Sequence, residues 1–336
     1  MRDLNSECVE VTPNTIERRN AHRLAPLRSD PVPALPAKVG RYEIVGRLGR
    51  GGMARVDVAI APHFPRSNQY VAVKRIREDL VHDPTVKPLF DAERYAGQLV
   101  QHPNIVACLD AGEEDGSPYL VLELVDGLSL RQIQTLRPYF EPSPRAVLEL
   151  GSQIASALEC IHGATDGAGR DLEFVHRDVS PNNILVDWSG IAKLTDFGIS
   201  LFRGRPRLTA RGAVRGKPGF MAPELIEGRV ATAASDVFAL GLVLGEFVSG
   251  LRILPRLLLR AKDLSTLMAE ALSGVLTSDE LRALLVEMVD RDPAKRPSAG
   301  EVRSRLGELI EATSPASPGL CAMMDRLSRC VPSAAT

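Results

Sequence analysis

The chain is constrained most tightly by one stretch, Val175-His176-Arg177-Asp178-Val179-Ser180-Pro181-Asn182-Asn183, with Thr195-Asp196-Phe197-Gly198 beginning twelve residues after it. Asp178 and Asn183 stand five apart, and Asn183 and Asp196 thirteen apart. An Asp or Asn alone is ordinary turn chemistry, because both side chains cap local backbone. Two carboxylates and an amide in fixed order are different. They are hard oxygen donors suited to magnesium, and one carboxylate of such a set can take a hydroxyl proton.

The hydropathy pattern around these residues changes character along the chain. Residues 1–39 hold Pro13, Pro26, Pro31, Pro33 and Pro36 without sustained periodicity and read as a disordered leader. Short β-branched or alternating segments follow at Arg41–Val45, Val56–Ala61 and Tyr70–Ile76. A helix with Leu89, Phe90, Ala92, Ala96 and Leu99 on one face comes next, then strands at Ile105–Leu109 and Tyr119–Leu124. After Gly127 the pattern is helical, with long segments at Ala146–His162, Ser235–Ser249, Asp279–Val289 and Ser298–Ala312. This predicts an α+β fold of two lobes over 40–312: five antiparallel strands with one helix (40–125), then a mainly helical part (126–312). Residues 313–336, opening with Ser314, Pro315, Ser317, Pro318 and Gly319, read as a tail outside the domain. Leu320, Met323, Met324, Leu327 and Val331 within it recur at helical spacing, which fits either a docked helix or a frayed terminus.

A glycine-rich stretch, Leu48-Gly49-Arg50-Gly51-Gly52-Met53-Ala54-Arg55-Val56, joins the first two strands, and Val71-Ala72-Val73-Lys74 lies on the third. Glycines there let backbone N–H groups approach phosphate oxygens. The chain has only seven lysines against 34 arginines, so a lysine at this strand position is not background. Ala222-Pro223-Glu224 lies 28 residues after Asp196 at its last member. Taken together, these motifs resemble the eukaryotic-like serine/threonine protein kinase family, in a bacterial form suggested by the glycine-rich stretch. The resemblance covers about residues 41–312.

The resemblance implies ATP and Mg2+ as cofactors, with Asp178 as general base and Asn183 and Asp196 as magnesium ligands. Lys74 would grip the α- and β-phosphates, oriented by Glu93, which lies nine residues before His102-Pro103-Asn104-Ile105-Val106. Asp91 and Glu78 are the competing carboxylates. Leu48 to Val56 would cover the nucleotide, beside Ala72, with backbone groups of Glu123 and Val125 at the adenine edge and Leu122 at the back. Glu224 should pair with Arg296, Asp236 should anchor the catalytic loop, and His176 should stabilise it internally. The third family glycine is Ala54 here. Two further departures fall together: Ser180 stands where the family has a lysine, and Lys217 where it has a threonine. The resemblance thus implies that the two groups have exchanged positions in the chain, which would retain positive charge beside the γ-phosphate.

The expected activity is transfer of the ATP γ-phosphate to Ser or Thr hydroxyls of protein substrates, with autophosphorylation of the activation segment. Thr209, in the basic run Leu201 to Arg211, is the candidate phosphosite and Arg177 its partner. The second reading is a pseudokinase that acts as a nucleotide-binding scaffold; retention of Lys74, Glu93, Asp178, Asn183 and Asp196 argues against it. The full activation segment disfavours a small-molecule kinase, and Pro181 disfavours tyrosine specificity. A formal charge of −1 gives no electrostatic reason to expect nucleic acid or an anionic membrane as partner. No apolar run is long enough to span a membrane, and Met1 to Asn5 carry no signal-peptide core. Five scattered cysteines, none in C-x-x-C spacing, fit a reducing, cytoplasmic setting.

Overall fold

Strand pairing organises the first third of the molecule. The computed structural model describes residues 38–64, 69–196, 219–251, 264–275 and 277–330. Gly198, Thr209, Lys217 and Val331, and the leader up to residue 37, lie outside the described residues. The strands are β1 (Lys38–Val39), β2 (Tyr42–Arg50), β3 (Ala54–Ile60), β4 (Tyr70–Ile76), β5 (Cys108–Glu114) and β6 (Ser117–Glu123). They form one antiparallel sheet in the order β1-β2-β3-β4-β6-β5. On one face Val39, Tyr42, Ile44, Val71, Val73, Tyr119 and Val121 bury one another. The other face packs Ile76 and Leu120 on Val86 and Phe90 of α1 (Val86–Leu99). Burial on both faces explains why β4 reads as continuous apolar sequence rather than as alternation. The β5–β6 turn is Asp115-Gly116 with φ of 50° and 76°, the left-handed pair that tight hairpins favour.

The sheet departs from the sequence expectation at two places. It has six strands rather than five, because Lys38 and Val39, assigned by sequence to the leader, pair with β2 and bury Val39. Ile105 is not in β5. It forms a parallel bridge to Leu194, with Val106 N donating to Leu194 O (2.9 Å) and Leu194 N to Asn104 O (2.8 Å). Its apolar side chain is buried against the second lobe instead of the first sheet.

The second lobe starts with β7 (Gly127–Ser129), α2 (Leu130–Thr135) and α3 (Pro144–His162), then β8 (Ile184–Asp187) and β9 (Ala192–Leu194), which pair with β7 as a three-stranded sheet. A Cβ at Gly127 would sit 2.0 Å from Val186 O, so the chain crosses from one lobe to the other where only glycine fits. The remaining helices are α4 (Pro223–Ile226), α5 (Ala233–Ser249), α6 (Leu264–Ala271), α7 (Asp279–Met288), α8 (Ala299–Ala312) and α9 (Leu320–Cys330). Every residue of α5 from Ser235 to Val248 is buried, as its nearly unbroken apolar sequence requires. Ser143 and Ser278 cap α3 and α7, and Ser298 with Glu301 forms a capping box on α8.

At the far end, α9 is a docked helix and not a free tail. Leu320, Met323, Met324 and Leu327 are buried in the main core. Leu320 N donates to Glu149 Oε2 on α3 at 2.7 Å, and Gly190, at φ 86°, lies so close that a Cβ would be 2.5 Å from Cys321 N. No helix among the described residues is long and apolar enough to cross a membrane.

Candidate active site

Lys74 and Glu93 are placed by elements whose register leaves little freedom. Lys74 lies mid-strand on β4, opposite Val56 of β3 and Leu120 of β6, and faces α1. Its Nζ lies 2.5 Å from Glu93 Oε1 and 2.8 Å from Asp196 Oδ1. The side chains of Lys74 and Glu93 are 10% and 8% exposed and that of Asp196 44%, so the ion pair is sheltered and the second carboxylate opens to the cleft. Burial works against the Lys74 charge, but Asp196 and Glu93 outweigh it and hold the ammonium protonated. Burial pushes the Glu93 carboxyl up, against the pull of Lys74. The competing carboxylates are elsewhere: Asp91 lies 3.7 Å from Arg94, and Glu78 is bonded to Arg55 at 2.9 Å.

The loop from His176 to Asn183 is held by buried hydrogen bonds. Asp236 at the start of α5 accepts from His176 N and Arg177 N at 2.8 Å each and from His162 Nε2 at 2.9 Å. Burial opposes its ionisation, yet His162 and the backbone donors keep it below the usual carboxylate range. His176 is fully enclosed. Its Nε2–H donates to Thr195 O (3.1 Å) and its Nδ1 accepts from Asp178 N (3.3 Å), which sets the neutral tautomer. Burial keeps its pKa lowered, and a neutral ring joins the loop to the residue before Asp196. Thr195 N also donates to Asn183 O at 2.9 Å.

Asn183 Nδ2 donates to Asp178 Oδ2 (2.7 Å) and to Asp178 O (2.9 Å). Both bonds use the amide nitrogen, so the flip of the amide is set and its oxygen points the other way. Arg177 and Asp196 have φ of 68° and 66°. Each such non-glycine residue costs about 1–3 kcal/mol, and here one precedes Asp178 and the other is Asp196 itself. Ser180 is fully buried, and its carbonyl accepts Asn183 N at 2.9 Å.

The glycine-rich turn between β2 and β3 closes with Gly51 N donating to Ala54 O at 2.8 Å. No protein atom lies within 4 Å of where a Cβ would be at Gly49 or Gly52, so packing does not demand glycine there. That empty space suits a phosphate approaching the backbone. Leu48 is 38% exposed and Ala72 only 6%, while Arg50 is exposed and Met53, Arg55 and Val56 are half-buried. At the crossing between lobes, the Glu123 carboxylate accepts from Ala107 N and Lys193 Nζ at 2.8 Å each. Leu122, Glu123 and Val125 are half-buried, and residues 124–126 have left the ladder.

The donor chemistry of Asp196 and the Asn183 amide fits magnesium. Among the described residues no three His, Cys, Asp or Glu side chains converge as a metal cage. Magnesium does not need one, because it is commonly held by one or two protein ligands with waters and substrate phosphates.

The structure thus joins Lys74, Glu93 and Asp196 by direct ion pairs and ties Asp178 to Asn183, which Thr195 links to the Asp196 segment. Lys217 lies outside the described residues. Four residues not singled out by sequence also shape the site: Asn104, His162, Lys193 and Arg77. Lys193, one of seven lysines and three residues before Asp196, carried a compositional signal; the others carried none.

The protein kinase domain family matches residues 42–305. Serine/threonine-protein kinase PrkC of Bacillus subtilis is 36% identical over 211 residues, covering 63% of this chain and 31% of that protein. Serine/threonine-protein kinase PkaB of Streptomyces coelicolor is 33% identical over 294 residues, covering 84% and 66% respectively. Tyrosine-protein kinase MasK of Myxococcus xanthus is 31% identical over 291 residues, covering 82% and 44%. The chain spans about a third to two thirds of the length of these curated relatives.

Proposed function

The chain belongs to the protein kinase family, and on that footing we propose that it transfers the γ-phosphate of ATP to serine or threonine hydroxyls of protein substrates. The observation that carries this reading is Lys74 held between Glu93 and Asp196 while Asn183 is fixed on Asp178. A scaffold that only bound nucleotide would have no chemical need for the second pair.

In this reading Lys74, kept charged by its two carboxylates, binds the α- and β-phosphates, and the backbone from Gly49 to Ala54 covers them. Asp178 receives the substrate hydroxyl, orients it and accepts its proton as the ester bond to the γ-phosphorus forms and the bond to the β–γ bridging oxygen breaks, with ADP as the leaving group. Asn183 holds the Asp178 carboxylate in place. Asp196 and the Asn183 amide oxygen would hold Mg2+, which supplies charge neutralisation at the β- and γ-phosphates when bound. Leu48, Val56 and Ala72 would enclose the adenine, with the backbone at Glu123 and Val125 along its edge. The charge absent at Ser180 is assigned to Lys217, and Thr209 is kept as the autophosphorylation site, its phosphate to dock on Arg177. Cys108 and Cys160 form no disulfide, which suits a reducing compartment, and we place the activity in the cytoplasm.

The test is phosphotransfer from labelled ATP with magnesium, with and without a generic protein acceptor, followed by phosphoamino-acid analysis. Labelled phosphoserine or phosphothreonine is expected, and Lys74→Met or Asp196→Ala should each lower transfer at least a hundredfold. Nucleotide binding without transfer would overturn the reading in favour of a scaffold. Phosphotyrosine alone would move the specificity to the class for which MasK is named.

A further inference from the structure

We infer that Arg77, a residue of the β4 exit, is a positioning residue for the glycine-rich turn and sets its grip on the phosphates of a nucleotide. This rests on the nucleotide reading above.

The turn Gly51–Met53 lies between β2 and β3 and makes one hydrogen bond of its own, Gly51 N to Ala54 O. Two bonds to Arg77 hold it from outside. Arg77 Nη1 donates to Gly52 O at 2.9 Å, and Arg77 N donates to Met53 O at 3.0 Å. The guanidinium is itself oriented by a bidentate pair with Asp79, Nε to Oδ1 at 2.9 Å and Nη2 to Oδ2 at 2.5 Å. Asp79 also lies 3.7 Å from Arg50 Nη2, so both shoulders of the turn lean on one carboxylate. The Arg77 hydrogen bond is the main cause that draws the Asp79 carboxyl below its usual range.

The consequence follows from peptide geometry. In a planar trans peptide the C=O and N–H point in opposite directions. With the carbonyls of Gly52 and Met53 turned to Arg77, the N–H groups of Met53 and Ala54 are turned to the other side. Two successive N–H groups on one side form an anion-binding concavity. One of those two peptides is held by the backbone of Arg77, the other by its side chain. The empty Cβ space at Gly52 adjoins that second peptide. Arg77 therefore acts through the backbone of the turn and not on the nucleotide itself.

The experiment compares ATP, ADP and adenosine on the full chain. Arg77→Met keeps the aliphatic stem and the backbone bond but removes the bond to Gly52 O. It should raise the KM for ATP and the Kd for ADP about fivefold, the net scale of one hydrogen bond. The kcat should change less than twofold and the affinity for adenosine not at all. Arg77→Lys should restore part of the loss. Asp79→Asn, at a half-exposed side chain, should shift ADP affinity the same way by a smaller factor without threatening the fold. Unchanged ATP and ADP affinity in Arg77→Met, with normal wild-type binding, would overturn the inference alone. A parallel loss of adenosine affinity would also overturn it, since a merely structural role would not distinguish ligands by their phosphates. Failure of the unaltered chain to bind ATP would overturn the nucleotide reading and this inference with it.

Discussion

Replacing Arg296 by Met would expose how much of the helical lobe depends on one buried charge pair. Arg296 is fully buried and Glu224 is 3% exposed. The guanidinium bonds both carboxylate oxygens, at 2.8 and 2.9 Å, and also Asp290 O at 2.7 Å and Ala234 O at 2.9 Å, over the ring of Phe238. Ser235 Oγ donates to the same carboxylate at 2.7 Å. Met keeps the packing of the stem, so the loss is mainly electrostatic. Removing one partner of such a pair costs about 3–5 kcal/mol because the other charge stays buried. At about 2–4 °C per kcal/mol for a domain near this size, Tm should fall about 6–20 °C. Adding Glu224→Gln should return about half of that by removing the stranded charge. The pH dependence has a definite sign. Burial opposes the Glu224 charge, but Arg296 and Ser235 hold its carboxyl below the usual range. In the unaltered protein this stabilisation is present above the ordinary glutamate pKa and lost as pH falls through the depressed folded value. In Arg296→Met, burial is opposed only by the Ser235 bond and Glu224 gains a proton on folding, so the gap to wild type should narrow from pH 7.5 to pH 5. Thermal and urea unfolding at both values reads this directly. A deficit equal at the two pH values and unrelieved by Glu224→Gln would refute the charge argument and leave the lost carbonyl contacts as the cause.

Two further outcomes are expected. Lys217→Ala should cut phosphotransfer severely and Ser180→Ala mildly, and the double exchange Ser180→Lys with Lys217→Thr should recover much of the lost turnover; independent effects in kcat would show the exchange to be coincidental. Deleting residues 318–336 removes four buried side chains, each worth about 1.5–3 kcal/mol, and should lower Tm by more than 10 °C, with Met324→Ala alone costing about 2–5 kcal/mol. An unchanged Tm in the deletion would mean that α9 contributes nothing to the fold.

What the sequence determined by itself was the local part of this protein. The periods of β3, β4, α3, α5 and α8 were legible because burial repeats every two residues in a strand and every three or four in a helix, and neighbours in the chain carry that record. The residues of the cleft were legible because Asp178, Asn183 and Asp196 keep a fixed spacing, and because a lysine is rare in this composition. The departures from the family pattern at Ser180 and Lys217 were visible for the same reason. Tertiary structure alone decided the rest. The spacing to His102 had already pointed to Glu93, but the second carboxylate on Lys74, Asp196, comes from 122 positions away. The attachment of His162 to Asp236 spans 74 positions, and that of Arg77 to Gly52 spans 25. Burial of Ile105 on β9, of Val39 on the sheet and of the α9 stripe on α3 likewise needed the partner surface to exist. Hydrophobic periodicity states which side of an element avoids water. It does not state what covers that side, because burial is non-directional and any apolar surface within reach satisfies it.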